Sequence, residues 1–390
     1  MNDLYIESGY LSYPHYGELL CGDQVVIKDS LDGKVIGVLA DGLGSGVKAN
    51  ILATITSTML ATMMKNQMNI EDCIKTIATT LPVCKERGLA YSTFTLLSFE
   101  DSSHLELFQY DNPKLIFLRN GKHIEYSSKV EVIDEKTIMT STLSLEEDDI
   151  LILMSDGVTH AGVGRVYNFG WKQSDIIEFI EKKNPLFLSS KVISTLIIDE
   201  TMRLYENKPY DDVTVCTFKV KKRQQVNLLI GPATHKEDDS GMMSLFFSKS
   251  GKHIVCGGTT ATIAARYLNE PMNLKLEYSS KEIPPIGEIE GVDLVTEGVI
   301  TLAKVLEYAK NYISCNDLYT KWKYQYDGAS MISEMLFEEA TDINFYSGCA
   351  VNPAHQNTDL PITFSIKMQL VDELSKCLKQ MGKQIKISYF

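Results

Sequence analysis

Asp23, Asp41, Asp156 and the pair Asp211–Asp212 each stand where an apolar run begins or ends. The stretches are "LCGDQVV", "VIGVLADGLGSG", "ILMSDGVTHAG" and "PYDDVTVCTF". If those strand ends converge, the carboxylates form a site of hard oxygen donors, the kind that magnesium and manganese prefer. Two such ions roughly 3.5–4 Å apart can share a bridging water, lower its pKa and direct it in line at phosphorus. They also neutralise charge on the phosphoryl oxygens. Aspartate suits this task because a strand holds its short side chain rigidly. Gly42 lets the backbone turn sharply and present a carbonyl, and Gly44 and Gly46 let the chain pass close by before a helix begins. Taken singly, a "DG" reads as a turn and a "DD" as a solvated strand start. The ordered set beside apolar strands is what points to a site.

The elements that must position these residues are legible in outline. "DQVVIKD" and "KVIGVLA" read as strands joined by the turn "SLDGK". "VKANILATITSTMLATMMKN" is apolar or small on nearly every side and predicts a helix buried on most faces. "NIEDCIKTIATTLPVCKERG" predicts a second helix, with Asn69 as N-cap and Gly88 as its stop. Strands follow in series: "YSTFTLLSF", "HLELFQY", "KLIFLRN", "KHIEYSS" and "DILILMS". The "NG" in "RNGKH" marks a hairpin. Helices around "SDIIEFIEKK" and "SSKVISTLIIDETMRLY" precede a last strand, "DVTVCTFKV". Strands in series with paired helices predict an α+β layered domain.

The chain has 390 residues, a length that predicts two domains. "KVKKRQQ" reads as a polar, basic hinge near residue 222, giving domains of residues 1–222 and 223–390. After the hinge, "VNLLI", "KHIVCGG" and "LKLEYS" read as strands separated by helices. "VLEYAKNYI", "MISEMLFEEA" and "ITFSIKMQLVDELSKCLKQMG" read as helices, and "KQIKISYF" as a final strand. This half predicts a smaller α/β domain.

The net charge of -13 argues against general attraction to nucleic acid or anionic lipid. Eight cysteines include no CxxC pair and no zinc-like ladder, a usage that fits a reducing cytoplasm. The expected chain has no signal peptide, no membrane span and no membrane partner.

The ordered set "GD", "ADGLGSG", "YSTFTLLSF", "MSDGV" and "DDVTV" resembles the metal-dependent type 2C protein phosphatases, and most of all their bacterial sporulation stage II E branch, over roughly residues 1 to 220. The resemblance implies a β-sandwich flanked by helix pairs. It implies a serine/threonine phosphoprotein phosphatase that uses two Mn2+ or Mg2+ ions against a phosphorylated regulatory protein. Asp41 then resembles the aspartate bridging the ions, Gly42 the carbonyl donor, and Asp156 and Asp211 further ligands. Asp41, Asp156 and Asp211 would be the catalytic set. Asp23 resembles the early acidic residue, as a ligand or as a group holding water. Gly22 precedes it in place of a glutamate found in eukaryotic members. Asp212 and Gly44 support the ligands. Branch relatives are switched by helices beside the site, in some cases through dimerisation. The alternative is a catalytically silent scaffold that binds a partner through its second domain.

Other residues keep two readings. His160 is either a proton donor or an ordinary loop histidine. Lys48 either orients phosphate or lies on a solvated face. Gly257, Gly258, Thr259 and Thr260 lead from a strand into a helix, and either bind an anion at the helix amino end or merely turn and cap the chain. Cys349 and His355 in "SGCAVNPAHQN" invite a catalytic reading but lack a third partner.

Overall fold

The structure is a computed structural model that describes residues 3–29, 34–80, 92–133, 136–164, 166–274, 283–350 and 362–390. It divides into two compact units, Met1–Lys222 and Arg223–Phe390.

The first unit is built from two antiparallel sheets. One has five strands in the order Leu4–Tyr13, Val213–Lys222, Ile150–Met154, Ile116–Arg119 and Lys122–His123. The other has six, in the order Asp23–Asp29, Val35–Gly42, Ser92–Asp101, His104–Tyr110, Lys136–Ser144 and Lys129–Ile133. Side chains alternate along the strands, so the inner strands serve two cores. Leu39, Leu97, Leu107, Leu151, Leu153 and Phe218 meet between the sheets. Ile36, Val38 and Ala40 face the opposite way and pack under the helices Gly46–Lys65 and Ile70–Thr80. On the far side, Ile150, Ile152 and Met154 pack under the helices Gln173–Lys182 and Ser190–Leu204. Burial on both faces explains why "ILILM" is apolar throughout rather than alternating. The result is four layers, helices on both sides of a sandwich, as the α+β reading expected.

The hairpin at "RNGKH" forms as read. Leu118 pairs with His123 and Arg119 with Lys122, and Asn120 and Gly121 take φ of 51° and 72°. Asn69 caps its helix by accepting from the Asp72 N–H at 2.8 Å. The helix stop at Gly88 and the cysteine at position 84 lie outside the described residues.

Some expectations need correction. The helix Gly46–Lys65 is not buried on most faces. One side buries, mostly through small residues (Ala49, Ala53, Ser57 and Ala61) together with Thr56 and Leu60, while Val47 and Ile51 are exposed. Close approach to the sheet selects small residues inward, which a hydropathy pattern does not distinguish. "KHIEYSS" supplies only the two strand residues Lys122–His123. Within "KVKKRQQ", Lys219–Lys222 complete one strand and the next begins at Gln225, so the boundary between the two units falls where the sequence reading put it. "MISEMLFEEA" is helical but widens into a π-helix over Glu334–Glu339. Beyond Leu274, "LKLEYS" lies outside the described residues.

The second unit has one sheet whose five central strands are parallel. Their order is Leu294–Thr296, Lys252–Cys256, Gln225–Ile230, Asp342–Ser347 and Gln384–Tyr389, with two short antiparallel strands beyond the first. Helices Val299–Ile313 and Ile362–Gln380 cover one face, and Asp239–Phe247 and Gly258–Leu268 the other. In chain order of the parallel strands this is 3-2-1-4-5, a doubly wound α/β arrangement.

Gly37 lies against the facing sheet of the first unit, and a Cβ there would overlap the buried Phe218 ring. Gly37→Ala is expected to destabilise the protein by about 1–3 kcal/mol through overpacking. Denaturant unfolding monitored by circular dichroism measures it.

Candidate metal centre

The alternation that builds the sandwich also gathers the aspartates. Asp41 lies two residues past Leu39, and Asp23 two before Val25, so both carboxylates follow the parity that faces the space between the sheets. Sheet register pairs Asp23 directly with Asp41. On the opposing sheet, Asp212 shares parity with Cys216 and Phe218, which also face inward. Asp156 opens the short helix Asp156–Thr159 just after the strand Ile150–Met154. That strand is locked to the Asp212 strand by the bonds Ser155 N–H to Thr214 O at 3.0 Å and Thr214 N–H to Ser155 Oγ at 2.9 Å.

Glycines allow the close approaches. A Cβ on Gly157 would strike the Asp212 carbonyl, and one on Gly42 would strike the Ala49 carbonyl. Gly44 adopts φ of 95° in the loop that leads into the helix.

The electrostatics are those of like charges forced together. Burial, with Asp23, Asp156, Asp211 and Asp212 alongside, pushes Asp41 up to about 9. Burial pushes Asp23 up to about 7. Asp212 and Asp211 add to the rise, and the nearby Ser155 and Thr214 hydroxyls offset part of it without reaching hydrogen-bonding geometry. Asp211 is also raised, by burial first and then by Asp156. Both Asp23 oxygens and Oδ2 of Asp212 are buried without a hydrogen-bond partner. Unpaired buried carboxylate oxygens are costly. Their number here, in an all-oxygen setting, fits a divalent cation that prefers hard donors.

Asp23, Asp41, Asp156, Asp211 and Asp212 thus come together at one end of the sandwich. Asp156, His160 and Asp211 each offer a ligand atom within 4.8 Å of the others'. His160 is exposed, with Nδ1 3.8 Å from Asp156 Oδ2, so it stands at the rim. Lys48 is exposed on its helix, as the solvated-face reading has it. Gly257–Thr260 and Cys349 belong to the second unit, and His355 lies outside the described residues.

Three supports were not legible in the sequence. His15 donates its backbone N–H to Asp212 Oδ1 at 3.0 Å. Tyr205 donates its hydroxyl to the Gly157 carbonyl at 2.7 Å. Asn50 donates to the Cys21 carbonyl at 2.8 Å, tying the long helix to the loop before Asp23. Each joins residues far apart in sequence, and none carries a local spacing signal.

The fold and the acidic cluster together define a type 2C phosphatase-like domain. Residues 31–221 match the family model for stage II sporulation protein E (SpoIIE), so this segment is a SpoIIE domain. Among solved structures, the chain is similar to the phosphatase domain of SpoIIE from Bacillus subtilis, solved with a fragment of its regulatory domain. Identity there is 20%, the match covers 57% of this chain and 64% of that one, and the TM-score is 0.48. The chain therefore spans less than two thirds of that relative. It is also similar to the RsbU and RsbW domains of Rv1364c from Mycobacterium tuberculosis, at 15% identity, 56% and 60% coverage and a TM-score of 0.44. A third similar structure is RsbX in complex with magnesium, at 18% identity, 55% and 96% coverage and a TM-score of 0.40. No curated protein matches the chain. Among the described residues, no helix is long and apolar enough to cross a membrane.

Asp23 and Asp41 keep protons to higher pH in the folded chain than in the unfolded one, where aspartate titrates near 4. Between about pH 4 and pH 9 the folded chain therefore binds more protons, and their contribution to stability falls as pH rises. In chelator, the melting temperature is expected to drop by several degrees across that window, and Asp41→Asn to flatten the decline. Thermal melts of both proteins in a pH series measure this. An unchanged slope in the variant would remove Asp41 as its source.

Proposed function

We propose that the first unit is a manganese- or magnesium-dependent phosphatase. Its substrates would be phosphoserine or phosphothreonine in a cytoplasmic regulatory protein. The observation that carries the reading is the convergence of five aspartates, with three buried oxygens lacking a hydrogen-bond partner, in a unit whose residues 31–221 match the SpoIIE family model. In this reading Asp41, the Gly42 carbonyl, Asp156 and Asp211 hold two ions. When bound, such ions supply Lewis-acid stabilisation of phosphoryl charge and activation of the attacking water. Asp23 lies opposite Asp41 and supplies a further buried carboxylate, as a direct ligand or through a water. Asp212 is fixed by His15 through one oxygen and turns the other inward. The strands hold these groups in place before substrate arrives, so little reorganisation is needed at the moment of reaction.

A macromolecular substrate is supported by what surrounds the aspartates in the chain. Leu19, Leu43, Val47, Ile51, Phe169 and Tyr210 all expose large apolar side chains on the segments that carry or adjoin them. Apolar groups left exposed on those segments are suited to meeting another protein. The cytoplasmic assignment is supported by the described cysteines, which are all unpaired.

Hydrolysis of para-nitrophenyl phosphate and of a phosphothreonine peptide tests the proposal. Activity is expected to require added manganese, to vanish in chelator, and to fall at least about 100-fold in Asp211→Ala, the scale for losing one oriented charge-stabilising group. Manganese binding without hydrolysis of either substrate would favour the silent scaffold instead.

A further inference from the structure

The second unit plays no part in the acidic site, yet its sheet has the topology that creates a binding crevice. In doubly wound sheets, ligands sit outside the carboxyl ends of the strands where the strand order reverses. Here that point lies between Gln225–Ile230 and Asp342–Ser347, which pair in parallel with Ile230 beside Ser347. The chain leaves these two strands through Gly231 and Gly348. The neighbouring strand Lys252–Cys256 leaves through Gly257 and Gly258 into the helix Gly258–Leu268.

Three features converge on Gly231. Its N–H donates to Oγ1 of Thr260, in the first turn of that helix, at 3.0 Å. A Cβ on Gly231 would collide with the ammonium of Lys367, which reaches in from the helix Ile362–Gln380 and donates to the Gly348 carbonyl. Ser347, the last residue of its strand, lies beside Ile230. Its hydroxyl is fully buried without a hydrogen-bond partner, on the same sheet face as Phe345 and the helix that carries Lys367. One face of the sheet end thus brings a helix amino terminus to Gly231, and the other brings a buried cation.

The Ser347 hydroxyl, fully buried and without a partner, is the second, independent sign of a ligand. Lys367, from the helix on the same face, is only 8% exposed; its ammonium donates to the Gly348 carbonyl, and among the described residues no carboxylate comes within ion-pairing distance of it. Burial depresses its affinity for a proton, an effect that Cys349 opposes. A buried cation whose partner among the described residues is a carbonyl is an arrangement that an anion would relieve. The helix amino end on the other face of the sheet end is open. Gly258 and Thr259 are exposed, a Cβ on Gly258 would meet nothing within 4 Å, and the first-turn N–H groups have no intrahelical acceptor. Amides of a helix amino end, a lysine point charge and a hydroxyl are the donor types that recognise a phosphate group.

We infer that the second unit binds the phosphate group of a small molecule at the carboxyl end of its sheet, between the Gly257–Thr260 turn and Lys367. The phosphatase domain would then be attached to a sensor of a phosphorylated metabolite. This inference does not depend on the first unit being catalytic.

The test uses the full chain in chelator, so that phosphate cannot be held by divalent ions in the first unit. Inorganic phosphate is titrated while the melting temperature and the heat of binding are followed, with acetate as the carboxylate control. Saturable phosphate binding is expected in the wild type and in Asp211→Ala. Binding is expected to weaken at least tenfold in Lys367→Gln. Gly258→Asp has room for its side chain and adds a favourable acid to the helix amino end, so it is expected to fold with unchanged or raised stability and still lose phosphate. No saturable binding by the wild type, equal binding of acetate, or full binding by a folded Gly258→Asp would each overturn the inference.

Discussion

The first unit is organised around a repulsion. Sheet register sets Asp23 opposite Asp41, and the facing sheet brings Asp212 toward them from the other side. Like charges directly across a strand pair destabilise it, and burial multiplies the cost. The fold tolerates this because almost everything behind the cluster is fully apolar. Leu39, Leu97, Leu151 and Phe218 fill the space between the sheets and hold the strand ends in place. The protein's own response to the strain is to keep protons on Asp41 and Asp23. In the proposed function a divalent cation would supply the same compensation by another route, and proton and metal would compete for one set of oxygens.

That competition connects the sandwich to its chemistry. Backbone rigidity places the carboxylates, and the glycines at positions 42 and 157 remove the side chains that would keep neighbouring segments apart. The buried Asp212 is fixed on one oxygen only, which leaves the other directed at the cluster. Stability is given up at one end of the sandwich in return for a site that is arranged before any ligand arrives. The second unit shows a smaller version of the same logic with the opposite sign, where a buried lysine has no carboxylate partner among the described residues and an open helix amino end lies on the other face of the sheet end.

Much of this was readable because the site sits at strand ends. A carboxylate that interrupts an apolar run, followed by glycine, gives a local signal at Asp41 and at Asp156. The parity of Leu39 and Asp41 then follows from strand periodicity alone. The hairpin at Asn120–Gly121 was legible for a similar reason, since both residues must adopt positive φ. What could not be read depends on contacts distant in sequence. The bond from the His15 backbone N–H to the Asp212 carboxylate spans 197 positions, and that from the Tyr205 hydroxyl to the Gly157 carbonyl spans 48. The helix Gly46–Lys65 misled because Val47 and Ile51 look like core residues, whereas packing on the sheet admits Ala49 and Ala53 instead. In the second half the alternation of strands and helices was visible. The strand order that creates a reversal point emerges only from pairing.

The central claim is that divalent ions displace protons from this cluster, and calorimetric titration with manganese at pH 7 tests it most directly. Run in two buffers of different ionisation enthalpy, the observed heats should differ, because burial and the neighbouring carboxylates hold protons on Asp41 and Asp23 to higher pH than free aspartate, and a bound cation would release them. Absence of manganese binding, or binding whose heat is the same in both buffers, would contradict the account.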